Sequence, residues 1–220
     1  MRARMQSVRS DNCPQYCTRC KRLVNHLSQV RQRFPEYHAR PVTAFGETEA
    51  RLAIVGLAPG MHGANRTGRP FTGDHAGILL YETLHRFGYA NRPISRAAGD
   101  GLELSECLIT NAVKCLPPEN KPTPDEVKRC NEYLKRELRV LPCHSAILAL
   151  GRIAHDAVLL AEEVSRARHP FAHGARHRLP SGRVLFDSYH CSRYNTQTRR
   201  LTAEMFHQIF ADIAQHLERT

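Results

Sequence analysis

The apolar positions fall into short dense runs separated by longer stretches of helical period. Arg51–Leu57 (RLAIVGL) has the length and composition of a buried strand and runs into a Gly/Pro-rich loop. Cys107–Val113 predicts a second strand, Ser145–Leu150 (SAILAL) a third and Val184–Tyr189 a fourth. Between the first two, Gly77–Phe87 spaces Leu79, Leu80, Leu84 and Phe87 along one helical face. Pro124–Val140 predicts a helix opened by Thr123-Pro124, with Asp125 and Glu126 in its first turn. Ile153–Val164 predicts another helix, Leu201–Leu217 a final amphipathic one, and Cys17–Arg33 a helix ahead of the first strand. Strands alternating with helices imply an α/β fold whose parallel sheet is covered on both faces. Ligands in such folds bind beyond the carboxyl ends of the strands. Chemistry is therefore expected just after Leu57, Val113 and Tyr189.

With 220 residues the chain holds one sizeable core, read as a single domain over 1–220 with residues 1–16 expected to be poorly ordered. No apolar run approaches the roughly 18–20 residues of a membrane-spanning helix. Met1–Asn12 is basic without an apolar stretch behind it, so no secretory signal is expected and the protein is read as cytoplasmic. Charge adds a partner class: 32 Lys and Arg against 21 Asp and Glu leave a net +11, which suits a polyanion. The surplus concentrates between Arg166 and Arg200, where eight arginines and four histidines accompany a single acid, Asp187. Tyr194 and Asn195–Thr198 lie inside that stretch, the mixture a loop meeting phosphates and bases needs. A solvated basic face has the same composition.

Eight cysteines in an intracellular chain point to metal rather than to disulfides. Cys17-Thr18-Arg19-Cys20 is a C-x-x-C pair, and Cys115 and Cys130 form a second, wider pair. Their spacing suits zinc or an iron–sulfur cluster without choosing between them. Cys13, Cys17 and Cys20 also match the three-cysteine spacing of radical-SAM enzymes. That signature, however, follows the first strand of a larger barrel, and here only twelve residues precede Cys13. The zinc-deaminase pattern is absent, since His38-Ala39-Arg40 lacks its glutamate.

Gly56–Asp74 (GLAPGMHGANRTGRPFTGD) resembles the first signature of the family 5 uracil-DNA glycosylases, which are iron–sulfur enzymes. The resemblance continues in order through Cys17–Val24, Tyr37–Gly46, Leu108–Thr123, Leu148–Ala154, Phe171–Ala175 and Ser188–Thr198, nearly the whole chain. It implies a three-layer α/β/α sandwich around a four-stranded parallel sheet. It also implies a DNA repair enzyme that hydrolyses the bond between uracil and deoxyribose in double- or single-stranded DNA and accepts some other damaged bases; the protein is expected to be a monomer. Cys17, Cys20, Cys115 and Cys130 match the ligands of a structural 4Fe–4S cluster, which leaves Cys13, Cys107, Cys143 and Cys191 as non-ligands.

By the same resemblance, Gly56, Leu57, Ala58, Pro59 and Gly60 form a turn whose backbone approaches the base, with Asn65 in the same signature. Phe71 stacks on the flipped base, Asn111 pairs with its edge, and His190 donates to its carbonyl as negative charge develops. Ser192, Arg193, Tyr194, Asn195 and Thr196 belong to the loop that enters the duplex, with Tyr194 as the wedge. Two departures stand out. Family 4 relatives carry an acid at the position of Leu57, so Asp74 is the expected water-activating group; its competing reading is a helix N-cap. Many relatives have His-Pro-Ser where this chain has His190-Cys191-Ser192. The apolar Leu57 also leaves open a damage-binding protein that keeps the fold without the hydrolysis.

Overall fold

The computed structural model describes residues 17–219; the expectation for residues 1–16 and the place of Cys13 fall outside that range. In chain order the elements are α1 (Lys21–Arg33), β1 (Phe45–Gly46), β2 (Leu52–Gly56), α2 (Ala64–Thr67), α3 (His75–Arg86) and β3 (Cys107–Asn111). They continue with α4 (Pro124–Arg139), β4 (Ala146–Leu150), α5 (Arg152–Ala161), β5 (Arg176–Arg178), β6 (Val184–Ser188), α6 (Arg193–Gln197) and α7 (Ala203–Glu218).

Each of the four apolar runs becomes a strand buried along its whole length. They pair in parallel in the order β3-β2-β4-β6, with Gly56 opposite Asn111 and Leu150 opposite Ser188. The four-stranded expectation is enlarged at both edges: β1 adds antiparallel to β3, and β5 adds antiparallel to β6, giving six strands. Neither edge strand was legible in the chain. Phe45-Gly46 is too short to show a period, and Arg176-His177-Arg178 is polar because its outer side is solvated.

The period of two assigns the faces. Leu52 and Ile54 pack with Leu80 and Leu84 of α3 and Phe206 and Phe210 of α7. Ala53 and Val55 point to the other side, against Leu134 and Leu138 of α4 and Val158 and Leu159 of α5. Helix–sheet–helix layering follows directly, since strands apolar on both faces need a cover on each. Helix α4 starts with a full capping box: Thr123 accepts from the Glu126 backbone while Glu126 reaches back to Thr123 N–H. Glu126 also pairs with Arg22 of α1 at 2.6 Å, so the cap that starts α4 fastens the N-terminal helix to it.

Two boundaries move. Helix α1 begins at Lys21, after the C-x-x-C pair rather than through it. Residues 193–198, expected as a loop, open with the short helix α6, capped by the Ser192 hydroxyl accepting from Asn195 N–H.

Candidate active site and cysteine centre

The carboxyl ends of β2, β3 and β6 converge, as parallel strands with crossover helices require. Gly56 closes β2 and sits beside Asn111, the last residue of β3. A Cβ on Gly56 would lie 2.5 Å from Asn111 Oδ1 and 2.6 Å from the Phe71 ring, so only glycine lets these two side chains meet there. Phe71 is buried in a left-handed backbone conformation, φ +53°, a strain of about 1–3 kcal/mol that persists only where the surroundings enforce it. Its ring lies nearly parallel to that of His190, centroids 6.0 Å apart. Asn111, Phe71 and His190, predicted from three distant segments, therefore share one site.

His190 follows β6, half-buried, with Gly151 at the start of α5 behind its Cβ. Burial pulls its pKa down to about 4, so the imidazole is neutral at physiological pH and presents an N–H without a charge. Of the two readings given to Asp74, the geometry shows the helix N-cap directly. It is the N-cap of α3, its Oδ1 accepting from Gly77 N–H at 2.9 Å. Its Oδ2 faces the Gly60–Gly63 turn, where a Cβ on Gly63 would come within 2.5 Å of that oxygen. Burial raises the Asp74 pKa above the ordinary carboxylate value, against the opposing hydrogen bonds from Gly77 and Ala76 and the nearby His75.

The turn after β2 is built by its own backbone: Gly60 C=O accepts from Gly63 N–H and Asn65 N–H. Pro59 is buried, while Leu57, Ala58 and Gly60 are half-exposed, and Gly60 does not adopt a positive φ. A Cβ on Gly60 would meet nothing closer than Asp74 Oδ2 at 3.9 Å, so the surrounding protein leaves room there. Asn65 is fully buried, and neither its amide nitrogen nor its oxygen has a partner among the described residues.

The expected DNA-contacting residues divide in two. Arg193 and Tyr194 stand exposed, Tyr194 with 70% of its surface open. Asn195 turns inward, its Nδ2 donating to the His190 carbonyl at 2.8 Å, and Thr196 lies 3.0 Å from His75 Nε2. Ser192 is occupied as the α6 cap. These three side chains hold α6 against the His190 and Asp74 segments. Arg200, not singled out from the sequence, lies over the Tyr189 ring at 4.6 Å beside His190. Its only sequence signal was membership of the basic stretch.

Cys17, Cys20, Cys115 and Cys130 line one cavity with Arg19, Leu23, Val24, Arg129 and Tyr133. Cys130 accepts from Lys114 N–H at 3.3 Å, and Cys17 accepts from the Tyr133 hydroxyl at 3.5 Å. Burial raises the Cys20 pKa and pushes that of Cys130 up to about 11. Cys107 and Cys191 are buried elsewhere and Cys143 is exposed, apart from this cavity. A second group of donor atoms, His155, His177 and Asp187, is saturated by its own bonds. His155 Nδ1 lies 2.7 Å and His177 Nε2 3.3 Å from the Asp187 carboxylate, and His155 Nε2 is bonded to His169 C=O. This network fastens β5 and the basic segment to β6.

The family model of the uracil DNA glycosylase superfamily matches residues 43–214. A type-5 uracil-DNA glycosylase of Thermus thermophilus is 49% identical over 201 residues, 89% of this chain and 91% of that protein. One from Mycobacterium leprae is 45% identical, with 89% of each chain covered, and one from Pyrobaculum aerophilum is 42% identical, covering 88% and 85%. With a family model matched over most of its length and relatives of this identity and coverage, this chain belongs to the uracil DNA glycosylase superfamily, in its type-5 group.

Proposed function

We infer that the protein excises uracil from DNA by hydrolysing the N-glycosidic bond and leaves an abasic site. The observation that carries this reading is the meeting of Asn111, Phe71 and His190 at one end of the sheet, with Asp74 at the start of α3 facing the turn after β2. A base inside a duplex is out of reach, so the nucleotide is first extruded at a cost of roughly a few kcal/mol. Phe71 then stacks on the base and the Asn111 amide pairs with its edge as donor and acceptor. Neutral His190 donates to the base carbonyl as the bond breaks and negative charge grows there. A neutral donor suits this task because its hydrogen bond strengthens as the oxyanion develops. Asp74, ionised through Oδ2, orients the attacking water and balances the positive charge on the sugar. The paired absence of partners on buried Asn65 supports a contact supplied from outside the chain.

Arg193 and exposed Tyr194 on α6 meet the duplex, with Tyr194 filling the space of the extruded nucleotide. The net charge of +11 supplies the attraction to phosphate. No helix among the described residues is long and apolar enough to cross a membrane. We place the protein in the cytoplasm, acting as a monomer.

The four cysteines fit a structural 4Fe–4S cluster. The four thiols line one cavity together with the apolar Leu23 and Val24 and the Tyr133 ring, a sheltered surround of the kind that suits an iron–sulfur cluster. The donors from Lys114 N–H and Tyr133 stabilise thiolate sulfur. When bound, the cluster would join the segment before α1 to β3 and α4.

Incubation with an oligonucleotide carrying one uracil, followed by alkali, tests the function. Cleavage at the uracil is expected; strands left intact at high protein concentration would leave a damage-binding protein instead.

A further inference from the structure

Just below Asn111 lies an ion pair that the proposed chemistry does not use. Lys114 and Glu137 are 1% and 2% exposed, and their charges are 2.6 Å apart. The Lys114 ammonium has three donors and three acceptors around it: Glu137 Oε2, Thr110 Oγ1 at 2.5 Å and the Asn111 carbonyl at 2.8 Å. Thr110 closes the ring by donating to Glu137 at 2.8 Å. Buried ion pairs seldom improve stability over apolar residues of similar size, so a saturated one needs a local reason. The main-chain N–H of the same residue donates to Cys130.

We propose that Lys114 is a positioning residue for the excision reaction: its ammonium fixes the Asn111 carbonyl, and so the Asn111 amide, against the pocket. Asn111 ends β3, where ladder bonds no longer hold both sides of the chain. A three-way clamp on its carbonyl replaces that restraint. Because the backbone of Lys114 is tied to Cys130 and its side chain to Asn111, the cysteine centre and the base-reading amide are anchored through one residue. The pair at Glu137 fixes the clamp to α4, the helix that carries Cys130. The inference rests on the role given to Asn111 above.

The test compares single-turnover excision, thermal unfolding and iron content in five proteins: wild type, Lys114→Met, Lys114→Met with Glu137→Met, Asn111→Ala, and Asn111→Ala carrying both methionine changes. Lys114→Met is expected to lower both stability and rate, the rate by about a hundredfold, the scale of a misplacement near 1 Å. The double methionine variant removes both charges together; it is expected to regain stability and iron while the rate stays low. In the Asn111→Ala background the same double change is expected to alter the rate by no more than about twofold, since the side-chain amide that the clamp positions is already gone. Recovery of rate together with stability, or an undiminished loss in Asn111→Ala, would overturn the inference. If the double variant does not fold, Thr110→Val carries the comparison: it removes one partner of the ammonium, and its loss of rate must vanish in Asn111→Ala. An inactive wild-type protein overturns the proposed function by the first arm alone, whereas an active one with additive losses overturns only the clamp.

Discussion

Asp74 caps α3 and is proposed to orient the attacking water, and the two demands on its carboxylate have opposite energetic signs. Capping α3 through Oδ1 stabilises the fold, while burial of the charge on Oδ2 costs stability. The raised pKa states that cost as a linkage. Between the unfolded value of 3.8 and the higher folded value, the native state holds the extra proton; stability falls as pH rises through that window, and the full penalty remains above it. Asp74→Asn keeps an N-cap acceptor and removes the charge. It is expected to lower turnover by about 10²–10⁴-fold, the usual range for a general base, with an unfolding temperature equal to or above wild type. Full activity in that variant would refute water activation. The acid limb of the pH–rate profile should likewise follow Asp74, because His190 stays neutral until about pH 4. An acid limb surviving unchanged in residual Asp74→Asn activity would assign it elsewhere.

Helix α6 shows how an element can face two ways. Its inner side chains, Asn195 and Thr196, bond to the His190 and Asp74 segments, which leaves Arg193 and Tyr194 to face outward. Arg193→Ala is expected to weaken DNA binding and to reduce the slope of log affinity against log salt by about 0.9, the value for one phosphate on duplex DNA. An unchanged slope would remove Arg193 from the phosphate contacts. The basic segment before β6 is held by a different device. Burial lowers the His155 pKa, but the hydrogen bond and charge of Asp187 outweigh it, and the net shift is upward. Stability from this pair is full below the unfolded value of 6.5 and is lost as pH rises through the folded one. Imidazole NMR titration should place His155 above 6.5 and His190 near 4 in the same sample.

For the molecule as a whole, the four-cysteine cavity lies where the start of the described chain meets α1, α4 and the segment just after β3. Leu23 of α1 meets Val113, Cys130 and Tyr133 in one small satellite core and Leu27 and Val30 meet Ala39 and Leu116 in another, with Arg22–Glu126 and Arg19–Glu132 as polar ties to α4. The proposed cluster would close the long loop from Cys20 to Cys115, and closing long loops is where a cross-link counts most in principle. Anaerobic preparation should yield iron-bound coloured protein; removing the iron should lower the unfolding temperature and loosen α1 before the sheet, read by amide exchange. A colourless zinc protein from anaerobic preparation would overturn the cluster.

The four parallel strands and the large helices were legible in the chain because burial on both faces writes itself as apolar runs, and Thr123-Pro124 with Glu126 marks a helix start by chemistry local to a few residues. The pocket residues came from motif resemblance; spacing could not have linked Phe71, Asn111 and His190, which are scattered over more than a hundred positions. Other features arise only when distant segments meet. The edge strands β1 and β5 are specified by the partner they pair with, not by their own composition. The inward turn of Asn195, the second face of Asp74 and the Lys114–Glu137 pair depend on which groups the fold places within hydrogen-bond reach. A charge or an amide carries no record of its partner in one dimension, whereas a hydrophobic period does carry the shape of the surface it must cover.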